Sequence, residues 1–521
     1  MASIVSPSGL AQFLRLVAKS GLLGSKPLVS LASLVPLWLR FGGSLYTLAA
    51  WAAARFPNRL AVVEGEQQLS FQQLLEHANR LAAALQERFA MDSVGILGRN
   101  RIAYIVALLA CTRLGCDLVL LNPMFGPEQL RVVLRRRPLG LLLFDLGFRP
   151  LVEEALASMP ATGQPRLLAL EDTPELIAES PIGKTHHKPR KSSLTVLTSG
   201  TTGPAKEVRR SIKAAEALGL ISNLLLHLQP HSGQRVLLAV PLLHGHGLAT
   251  LALCLVAGLS LHLGKSRARD LWEEIQAHKI ELLVLVPTIL HRLLEAGAPS
   301  HGNHLRAVIS GSAPLNPSLV LRTLAMLGQK LYNLYGSSET GVISLASPKD
   351  LLEAPGTVGH PLPGVTLKIL DEAKNELPRG QIGQVWVSRG GQIAPTGDLG
   401  YLDPQGRLFL TGRADEVLIC GGEKVFPTQI EERITNLLPY AEECAVVGVP
   451  DLEYGQALHL FLVLKPGHDS METYTIQRDL EAHLPRTLRP RHITLLTELP
   501  RNQAGKLLRA KLHALLEAKP H

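Results

Sequence analysis

The chain has 521 residues, of which 46% are hydrophobic, 19% charged and 4% aromatic. A chain of this length exceeds one compact core, and its composition excludes a disordered, fibrous or low-complexity protein. The net charge of +9 fits anionic nucleotides or an acidic membrane surface. The basic residues are scattered and form no stripe interleaved with aromatic residues, which argues against nucleic-acid binding.

The N-terminal residues 1–47 carry an apolar stripe at helical spacing, formed by Leu10, Phe13, Leu14 and Val17. Arg15 and Lys19 lie off that stripe, so the pattern predicts an amphipathic extension. This extension either packs on its own domain or makes peripheral contact with the inner face of a membrane, and periodicity favours the packed helix.

The five cysteines include no Cys-x-x-Cys pair and no neighbouring histidine at ligand spacing. An odd number without such pairs indicates a reducing compartment and no structural zinc. Because no secretory signal pattern opens the chain either, we expect a cytoplasmic protein.

Short apolar runs alternate with longer helical patterns through the first two thirds of the chain. Strands are predicted at 93–97, 118–121, 140–144, 282–286 and 307–309, and helices at 71–88 and 266–278. The alternation predicts an α/β protein whose large N-terminal body has mainly parallel sheets flanked by helices.

The uncharged stretch 236–264 would satisfy a search for a membrane span by hydropathy alone. Pro241, His244, Gly245, His246 and Gly247 interrupt it, however. We predict instead a strand, a loop and a helix inside a large domain, and no transmembrane span.

Near residue 360 the pattern changes to closely spaced short strands with Gly and Pro turns, which predicts a small β-rich subdomain. An α+β tail follows Asp415 and has the size of a separate small domain. The predicted division is an N-terminal extension at 1–47, a large domain at 48–414 and a mobile C-terminal domain at 415–521.

The strand-like residues 194–197 lead into the segment Thr198-Ser199-Gly200-Thr201-Thr202-Gly203-Pro204-Ala205-Lys206. Small residues let backbone N–H groups approach phosphate oxygens, while hydroxyls and a lysine add donors and charge. The segment is not a Walker A motif, and taken alone such a cluster is equally compatible with a polar surface loop.

Eight separate segments, in this order, resemble the adenylate-forming family of acyl-CoA synthetases, luciferases and peptide-synthetase adenylation domains. They are TSGTTGPAK (198–206), PLLHGHG (241–247), SGSAPL (310–315), NLYGSSETG (333–341), GTVGHPLPG (356–364), TGDLG (396–400), GRADEVLICGGEKVFPTQIE (412–431) and LPRNQAGKLLR (499–509). The upstream sequence, from Leu48, is similar to the N-terminal sequence of fatty-acyl-CoA ligases.

The resemblance implies an ATP-dependent acid–thiol ligase that activates a fatty acid as acyl-AMP, releases pyrophosphate and transfers the acyl group to coenzyme A. It also implies the residues that bind the nucleotide. The phosphate loop would use Lys206 together with Thr198, Ser199, Gly200, Thr201, Thr202 and Gly203. The base would be held by Tyr335, through ring stacking, and by Gly311, Ser312, Ala313 and Asn333. Four neighbouring residues would complete the cofactor-binding set: Leu334, Gly336, Ser337 and Ser338.

The remaining motifs imply the other roles. Glu339 would bind Mg²⁺, a hard cation that prefers carboxylate and phosphate oxygens. Asp398 would accept hydrogen bonds from the ribose hydroxyls, with Arg413 reinforcing the ribose or phosphate contact, and Lys506 would bridge the substrate carboxylate and the α-phosphate. His244 would border the acyl site, and His246 is a weaker candidate.

Four residues would serve the second half-reaction by the same resemblance. Asp415 occupies the hinge position between the two domains. Gly421 and Gly422 match the segment that lines the thiol tunnel, and Lys424 would contact AMP or a phosphate of coenzyme A.

The sequence departs from the family pattern at two places. Ala205 and Glu207 replace the Pro and Gly usual around the loop lysine. Between Trp386 and Thr396 stands only VSRGGQIAP, where family members carry a longer stretch with Tyr or Trp. This deletion puts turnover, lid behaviour and substrate scope in question.

Three readings of the function stay open at this point. The absence of Asp and Glu from Ala217 through Arg269 disfavours an amino-acid substrate, and the apolar surroundings suit a fatty acid. A fatty acyl-AMP ligase that loads a carrier protein is the first alternative. A non-catalytic protein that binds acyl chains or nucleotides is the second, and retention of the charged motif residues argues against it.

Overall fold

The computed structural model describes residues 27–89, 92–180, 193–198, 206–210, 228–264, 268–297, 304–337, 340–389, 392–420, 423–451, 455–468, 470–502 and 505–517. The apolar stripe predicted between residues 10 and 17 lies outside this part of the chain. The described chain divides into two compact units. Unit 1 comprises residues 1–312 and 322–332, and unit 2 comprises residues 313–321 and 333–521.

The first sheet of unit 1 has six strands. Their order is Arg166–Ala169, Leu141–Phe144, Ser93–Leu97, Asp117–Leu121, Leu194–Thr198 and Lys206–Arg210. Neighbouring strands are parallel except the last pair, which is antiparallel. The central strands are buried, which explains why they are nearly continuous runs of Leu, Val and Ile.

A second sheet of unit 1 is also mainly parallel. Within the unit its order is Ala307–Gly311, Leu282–Leu285, Arg235–Leu238, Ser260–Leu263, Leu60–Glu64 and Gln67–Ser70. Only the last pair is antiparallel. Because parallel strands end at the same sheet edge, the motif loops that follow these strands start from common edges of the unit.

Helices connect these strands. They are Pro27–Phe41, Leu45–Arg55, Phe71–Arg88, Ile102–Leu114, Pro127–Arg136, Arg149–Ala157, Thr173–Glu179, Gly245–Ala257, Ala268–Ala277, Pro287–Glu295 and, across the unit boundary, Pro317–Leu327. Short 3₁₀ turns occur at Leu146–Phe148, Ala161–Gly163 and Leu170–Asp172.

The helix Phe71–Arg88 shows how local sequence sets an element. Ser70 accepts a hydrogen bond from the Gln73 N–H, and the Gln73 side chain accepts one from the Ser70 N–H, which is a capping box. The apolar face that follows, including Leu81 and Leu85, is buried. The bounds predicted from the sequence are confirmed at both ends.

Unit 2 contains a run of antiparallel strands. The order is Val365–Leu370, Gly383–Arg389, Gln392–Leu402, Leu408–Arg413, Thr357–Pro361, Gly341–Ala346 and Leu331–Ser337, the last entering the unit at Asn333. A short helix, Pro348–Glu353, and a 3₁₀ turn, Ala414–Glu416, accompany them. This run is the β-rich region predicted near residue 360.

The C-terminal part of unit 2 is α+β. It has a hairpin of Leu418–Cys420 and Glu423–Val425, and a sheet of Ala441–Asp451, Gly455–Leu464 and His492–Leu495. Its helices are Pro427–Leu437, Thr473–His483 and Arg509–Glu517, with a 3₁₀ turn at Arg486–Leu488. The predicted α/β fold class is confirmed, whereas the domain boundaries at residues 48 and 415 stay predictions.

The uncharged stretch 236–264 is not one long helix. It forms the end of the strand Arg235–Leu238, the loop from residue 239, the helix Gly245–Ala257 and the strand Ser260–Leu263. Within the described ranges, no helix combines the length and hydropathy needed to cross a membrane.

His262 lies on the strand Ser260–Leu263 and is only 5% exposed. Its Nδ1 has no hydrogen-bond partner in the described part of the chain, and its Nε2 lies 3.3 Å from the Ser260 hydroxyl. Burial, together with the nearby charges of His278 and Arg235, lowers the pKa of His262 to about 4. The ring is therefore neutral at pH 7.

We predict that the free energy of unfolding falls as the pH drops from about 6.5 to about 4. In that window the unfolded chain binds a proton at His262 and the folded chain does not, which alone amounts to about 3 kcal/mol. His262→Gln removes the titrating group, so urea unfolding at several pH values should give a flatter profile for this variant. His304→Gln, at an exposed position, is the matched control. Parallel profiles for His262→Gln and the unchanged protein would contradict the prediction.

Candidate functional site

Two paired strands, Leu194–Thr198 and Lys206–Arg210, flank the predicted phosphate loop. The two strands are antiparallel, and Thr198 pairs with Lys206 across the ladder. Arg137 holds the first strand, because its Nη1 donates to the Thr195 hydroxyl at 2.8 Å. Both ends of the loop are thus fixed side by side, while Ser199, Gly200, Thr201, Thr202 and Gly203 and the side chains of Thr198 and Lys206 lie outside the described residues.

The loop from Val240 to Gly247 is held by Asn100, which follows the strand Ser93–Leu97. The Asn100 Nδ2 donates to the Val240 carbonyl at 2.7 Å, and its Oδ1 accepts from the Leu242 N–H at 2.7 Å. A Cβ at Gly247 would lie 2.4 Å from the Pro241 carbonyl oxygen, so only glycine fits there. The loop is therefore compact, and the Asn100 side chain holds it in place.

Sequence reasoning missed Asn100. The residue belongs to none of the motifs, and its side chain contacts only backbone atoms of a segment 140 residues further along the chain. One feature of the sequence could have indicated it. Asn100 follows the carboxyl end of a predicted parallel strand, where polar residues often contribute to a binding site.

His244 and His246 lie on this loop and at the start of the helix Gly245–Ala257. Each ring is partly exposed, but both Nε2 atoms are buried and have no hydrogen-bond partner among the described residues. Burial lowers the pKa of each histidine to about 4, so both are neutral at pH 7. The loop therefore offers imidazole without positive charge.

Ser312 links this loop to the segment predicted to line the adenine. The Ser312 hydroxyl lies 3.3 Å from the Nδ1 of His246. Its backbone has a φ of +72°, in the left-handed region that non-glycine residues seldom adopt. Gly311 precedes it as the last residue of the buried strand Ala307–Gly311. His246, the weaker candidate by sequence, is the histidine that contacts a predicted nucleotide-binding residue.

Asp398 is the centre of a cluster in unit 2. Its Oδ2 accepts from the Tyr335 hydroxyl at 2.5 Å, and its Oδ1 accepts from the Arg413 Nη1 at 3.3 Å. Asp398 and Arg413 pair across neighbouring strands, which sets their separation. A Cβ at Gly397 would lie 2.7 Å from the guanidinium, so the glycine leaves room for Arg413.

Burial raises the pKa of Asp398, while the Tyr335 hydrogen bond and the charges of Arg413 and Lys506 lower it. Lys506 therefore lies near enough to act on this carboxylate, although it comes from the C-terminal part of the unit. Its backbone N–H donates to the Asn502 Oδ1 at 2.9 Å. Within unit 2, four predicted site residues thus share one electrostatic environment.

Asn333 and Ser337 lie on the strand Leu331–Ser337, on either side of Leu334, Tyr335 and Gly336. The Asn333 Nδ2 donates to the Thr357 carbonyl at 3.2 Å, so part of its hydrogen-bonding capacity serves the fold. The Ser337 hydroxyl lies 2.8 Å from that of Thr340 and accepts from its N–H. Ser338 and Glu339 lie outside the described residues, as does any geometry of the predicted Mg²⁺ ligand.

Asp415 lies in the 3₁₀ turn between the strands and the C-terminal part. Its Oδ1 accepts from the Arg413 Nε at 3.1 Å. The next residue, Glu416, pairs with Arg509 at 3.1 Å, and Arg509 also pairs with Glu431 at 2.7 Å. Gly421 and Gly422 lie outside the described residues, and Lys424 is described only as part of a strand.

The shortened segment before Thr396 lies on two paired strands. Gly383–Arg389 and Gln392–Leu402 are antiparallel, and Arg389 pairs with Gln392 across the ladder. The Arg389 Nη2 donates to the Val342 carbonyl at 2.5 Å. The strand Gly383–Arg389 thus contacts the strand Gly341–Ala346, which follows Glu339 in the sequence.

The predicted site residues fall in both units. In unit 1 the structure brings together His246 and Ser312, and in unit 2 Tyr335, Asp398, Arg413 and Lys506. Ala313 belongs to unit 2 as the neighbour of Ser312. The assembly of both groups around one nucleotide stays a prediction.

Several known proteins are similar to this chain over most of its length. A 2-succinylbenzoate–CoA ligase of Bacillus licheniformis is 28% identical over 88% of this chain and 97% of its own length. A fatty acid–[acyl-carrier-protein] ligase, ScoC of Streptomyces coeruleorubidus, is 28% identical over 90% of this chain and 96% of its own. The o-succinylbenzoate CoA synthetase of Bacillus subtilis, solved with its acyl-adenylate intermediate, matches with a TM-score of 0.76 and 25% identity over 89% of this chain and 97% of that one.

Two family models match the chain. The model of the AMP-binding enzyme covers residues 49–396, and that of the AMP-binding enzyme C-terminal domain covers residues 429–506. The first alone spans more than half of the chain and includes most of the motifs described above. The chain therefore belongs to the AMP-binding enzyme family.

Proposed function

We propose that this protein is an ATP-dependent acid–thiol ligase that makes an acyl-CoA through an acyl adenylate. The observation that carries the proposal is the cluster of Tyr335, Asp398, Arg413 and Lys506 within unit 2. It combines an aromatic ring, a largely buried carboxylate and two cations, which are the groups that a base, a ribose and a phosphate require.

The first half-reaction joins two anions. A carboxylate oxygen of the acid attacks the α-phosphorus of ATP, the bond to the β-phosphate oxygen breaks, and pyrophosphate leaves. Because the reactants repel each other, the protein has to neutralise charge and hold the attack in line. We assign this to Lys506 at the carboxylate and α-phosphate, and to Lys206 at the outer phosphates.

Tyr335 and Asp398 would position the nucleoside. In the structure the Tyr335 hydroxyl donates to Asp398, so the ring and the carboxylate are already fixed relative to each other. Asp398 keeps lone pairs for ribose hydroxyls, and Arg413 holds its other oxygen. When bound, Mg²⁺ would neutralise phosphate charge, and Glu339 is its proposed ligand by sequence.

The second half-reaction needs no covalent enzyme intermediate. The thiolate of coenzyme A attacks the carbonyl carbon of the acyl adenylate, and AMP leaves as a good leaving group. We propose that the C-terminal part turns about Asp415 between the half-reactions, with Gly421 and Gly422 giving the pantetheine arm a path and Lys424 contacting phosphate.

The acid is best described as a carboxylic acid with an apolar body. The helix Gly245–Ala257 behind His244 is apolar and mostly buried, which suits an alkyl or an aryl group. The sequence favours a medium or long fatty acid, while two of the similar proteins act on succinylbenzoate, as their names state. We propose both classes as candidate substrates.

A second candidate function is a ligase that loads a carrier protein. It is favoured by the 28% identity to the fatty acid–[acyl-carrier-protein] ligase over 90% of this chain. In that case the acyl adenylate would be attacked by a carrier-bound thiol, and free coenzyme A would not serve.

A pyrophosphate-release assay tests these proposals. The acids are octanoate, palmitate, benzoate and 2-succinylbenzoate, each with and without coenzyme A, in the presence of Mg²⁺. CoA-dependent turnover with any of them supports the ligase, and accumulation of acyl adenylate supports the carrier-loading enzyme. ATP binding without pyrophosphate release from any acid would contradict both, and would point to a non-catalytic binding protein.

We predict that Lys506→Ala lowers the rate of adenylate formation by a factor of about 100 or more, because one charge at the α-phosphate is lost. ATP binding should stay measurable by calorimetry, since Tyr335 and Asp398 remain. Lys511→Ala, an exposed lysine on the helix Arg509–Glu517, is the control and should leave the rate unchanged. An unchanged rate for Lys506→Ala would refute its assigned role.

We also predict that Asn100→Asp raises the KM for the acid more than the KM for ATP. Aspartate still accepts from the Leu242 N–H, but the Val240 carbonyl loses its donor, at a cost of about 1–3 kcal/mol in loop order. Asn316→Asp is the matched control, because the Asn316 Oδ1 only accepts, from the Ser318 N–H and hydroxyl. Equal changes in both KM values would argue against a loop-positioning role.

A further inference from the structure

The helix Pro27–Phe41 has an apolar face that is exposed to solvent. Val35 is 57% and Leu39 is 81% exposed. Ala32 and Pro36 are exposed beside them, so that an apolar stripe at helical spacing, Ala32, Val35, Pro36 and Leu39, faces outward. From Ala32 to Phe41, no side chain that the structure describes is buried. The described part of the chain leaves this apolar face exposed, which is typical of a surface that a partner covers.

The C-terminal end of this helix contacts the next helix. The Gly42 N–H donates to the Trp38 carbonyl at 2.8 Å and ends the helix, and the Phe41 ring meets the Tyr46 ring edge-on at 4.7 Å. Tyr46 belongs to the buried helix Leu45–Arg55. The exposed stripe therefore lies next to a contact with a buried helix of unit 1.

The positive charge of the N-terminal residues indicates what kind of partner covers the stripe. The sequence before Glu64 contains no Asp or Glu and six Lys or Arg, of which Arg40 is exposed in the last turn of the helix. A second copy of the chain would bring the same positive charges together, which is unfavourable. Anionic lipid headgroups complement both the charge and, beneath them, the apolar stripe.

We infer that the stripe Ala32, Val35, Pro36 and Leu39, with Arg40 beside it, is a docking surface for an anionic lipid bilayer. The helix lies in the plane of the interface. At 15 residues it is about 22 Å long, short of the roughly 30 Å of a bilayer core. This inference is independent of the proposed reaction.

The test uses the full chain and two kinds of vesicle, phosphatidylcholine alone and phosphatidylcholine mixed with phosphatidylglycerol. We expect co-sedimentation with the anionic vesicles, weakened by high salt, and at least about tenfold weaker partitioning into the neutral ones. The double variant Val35→Glu/Leu39→Glu should lose binding, and Leu39→Gln should weaken it without changing the charge.

The matched control is Leu321→Glu/Leu352→Glu, which adds the same charge at leucines that are 53% and 51% exposed elsewhere. This control should bind anionic vesicles nearly as the unchanged protein does. Urea unfolding and pyrophosphate release, measured for every variant, show whether the fold is kept.

Three outcomes would overturn the inference. The unchanged protein could ignore anionic vesicles, or the Val35→Glu/Leu39→Glu variant could bind them as well as the control does. The unchanged protein could also be a dimer in light scattering that this variant converts to a monomer, with no vesicle binding by either, in which case a second copy covers the stripe.

Discussion

A largely buried carboxylate, Asp398, is the group around which the candidate site of unit 2 is built. Burial raises its pKa, and the ionised form is held by the Tyr335 hydroxyl and by the charges of Arg413 and Lys506. A buried charge is tolerated only when such partners surround it. Asp398 therefore brings together an aromatic strand residue, an arginine of the neighbouring strand and a lysine of the C-terminal part, so that predicted site residues from four segments meet in unit 2.

The sequence predicted most of the fold because its signals are local. The strand Ser93–Leu97 and the helix Phe71–Arg88 have the predicted bounds, since a buried parallel strand is a short apolar run and a capping box starts the helix. The strand end at Gly311 lay two residues beyond the prediction, because Ser310 and Gly311 are polar or small and their burial depends on tertiary packing.

The site was predictable only in part. Tyr335, Asp398 and Lys506 were predicted because motif order, not local chemistry, marked them, and each would be an ordinary residue in isolation. Asn100 was not predicted, since its hydrogen bonds go to backbone atoms of Val240 and Leu242 that no periodicity brings near it. The identity of the acid was not determined either, because an apolar helix accommodates alkyl and aryl groups by the same dispersion forces.

The contacts around Asp415 bear on how the C-terminal part could turn. On one side, Arg413 pairs with Asp415, whose side chain is 49% exposed, and exposed pairs contribute only about 0–1 kcal/mol. On the other side, Arg509 is largely buried between Glu416 and Glu431, and breaking such a pair costs about 3–5 kcal/mol. The Arg413–Asp415 pair is the weaker contact and would break first, whereas Arg509 would keep Glu416 with the C-terminal helices. The backbone dihedral angles at Asp415 would then take up the rotation. The predicted hinge residue, Asp415, thus belongs to the ion pair that costs the least free energy to break.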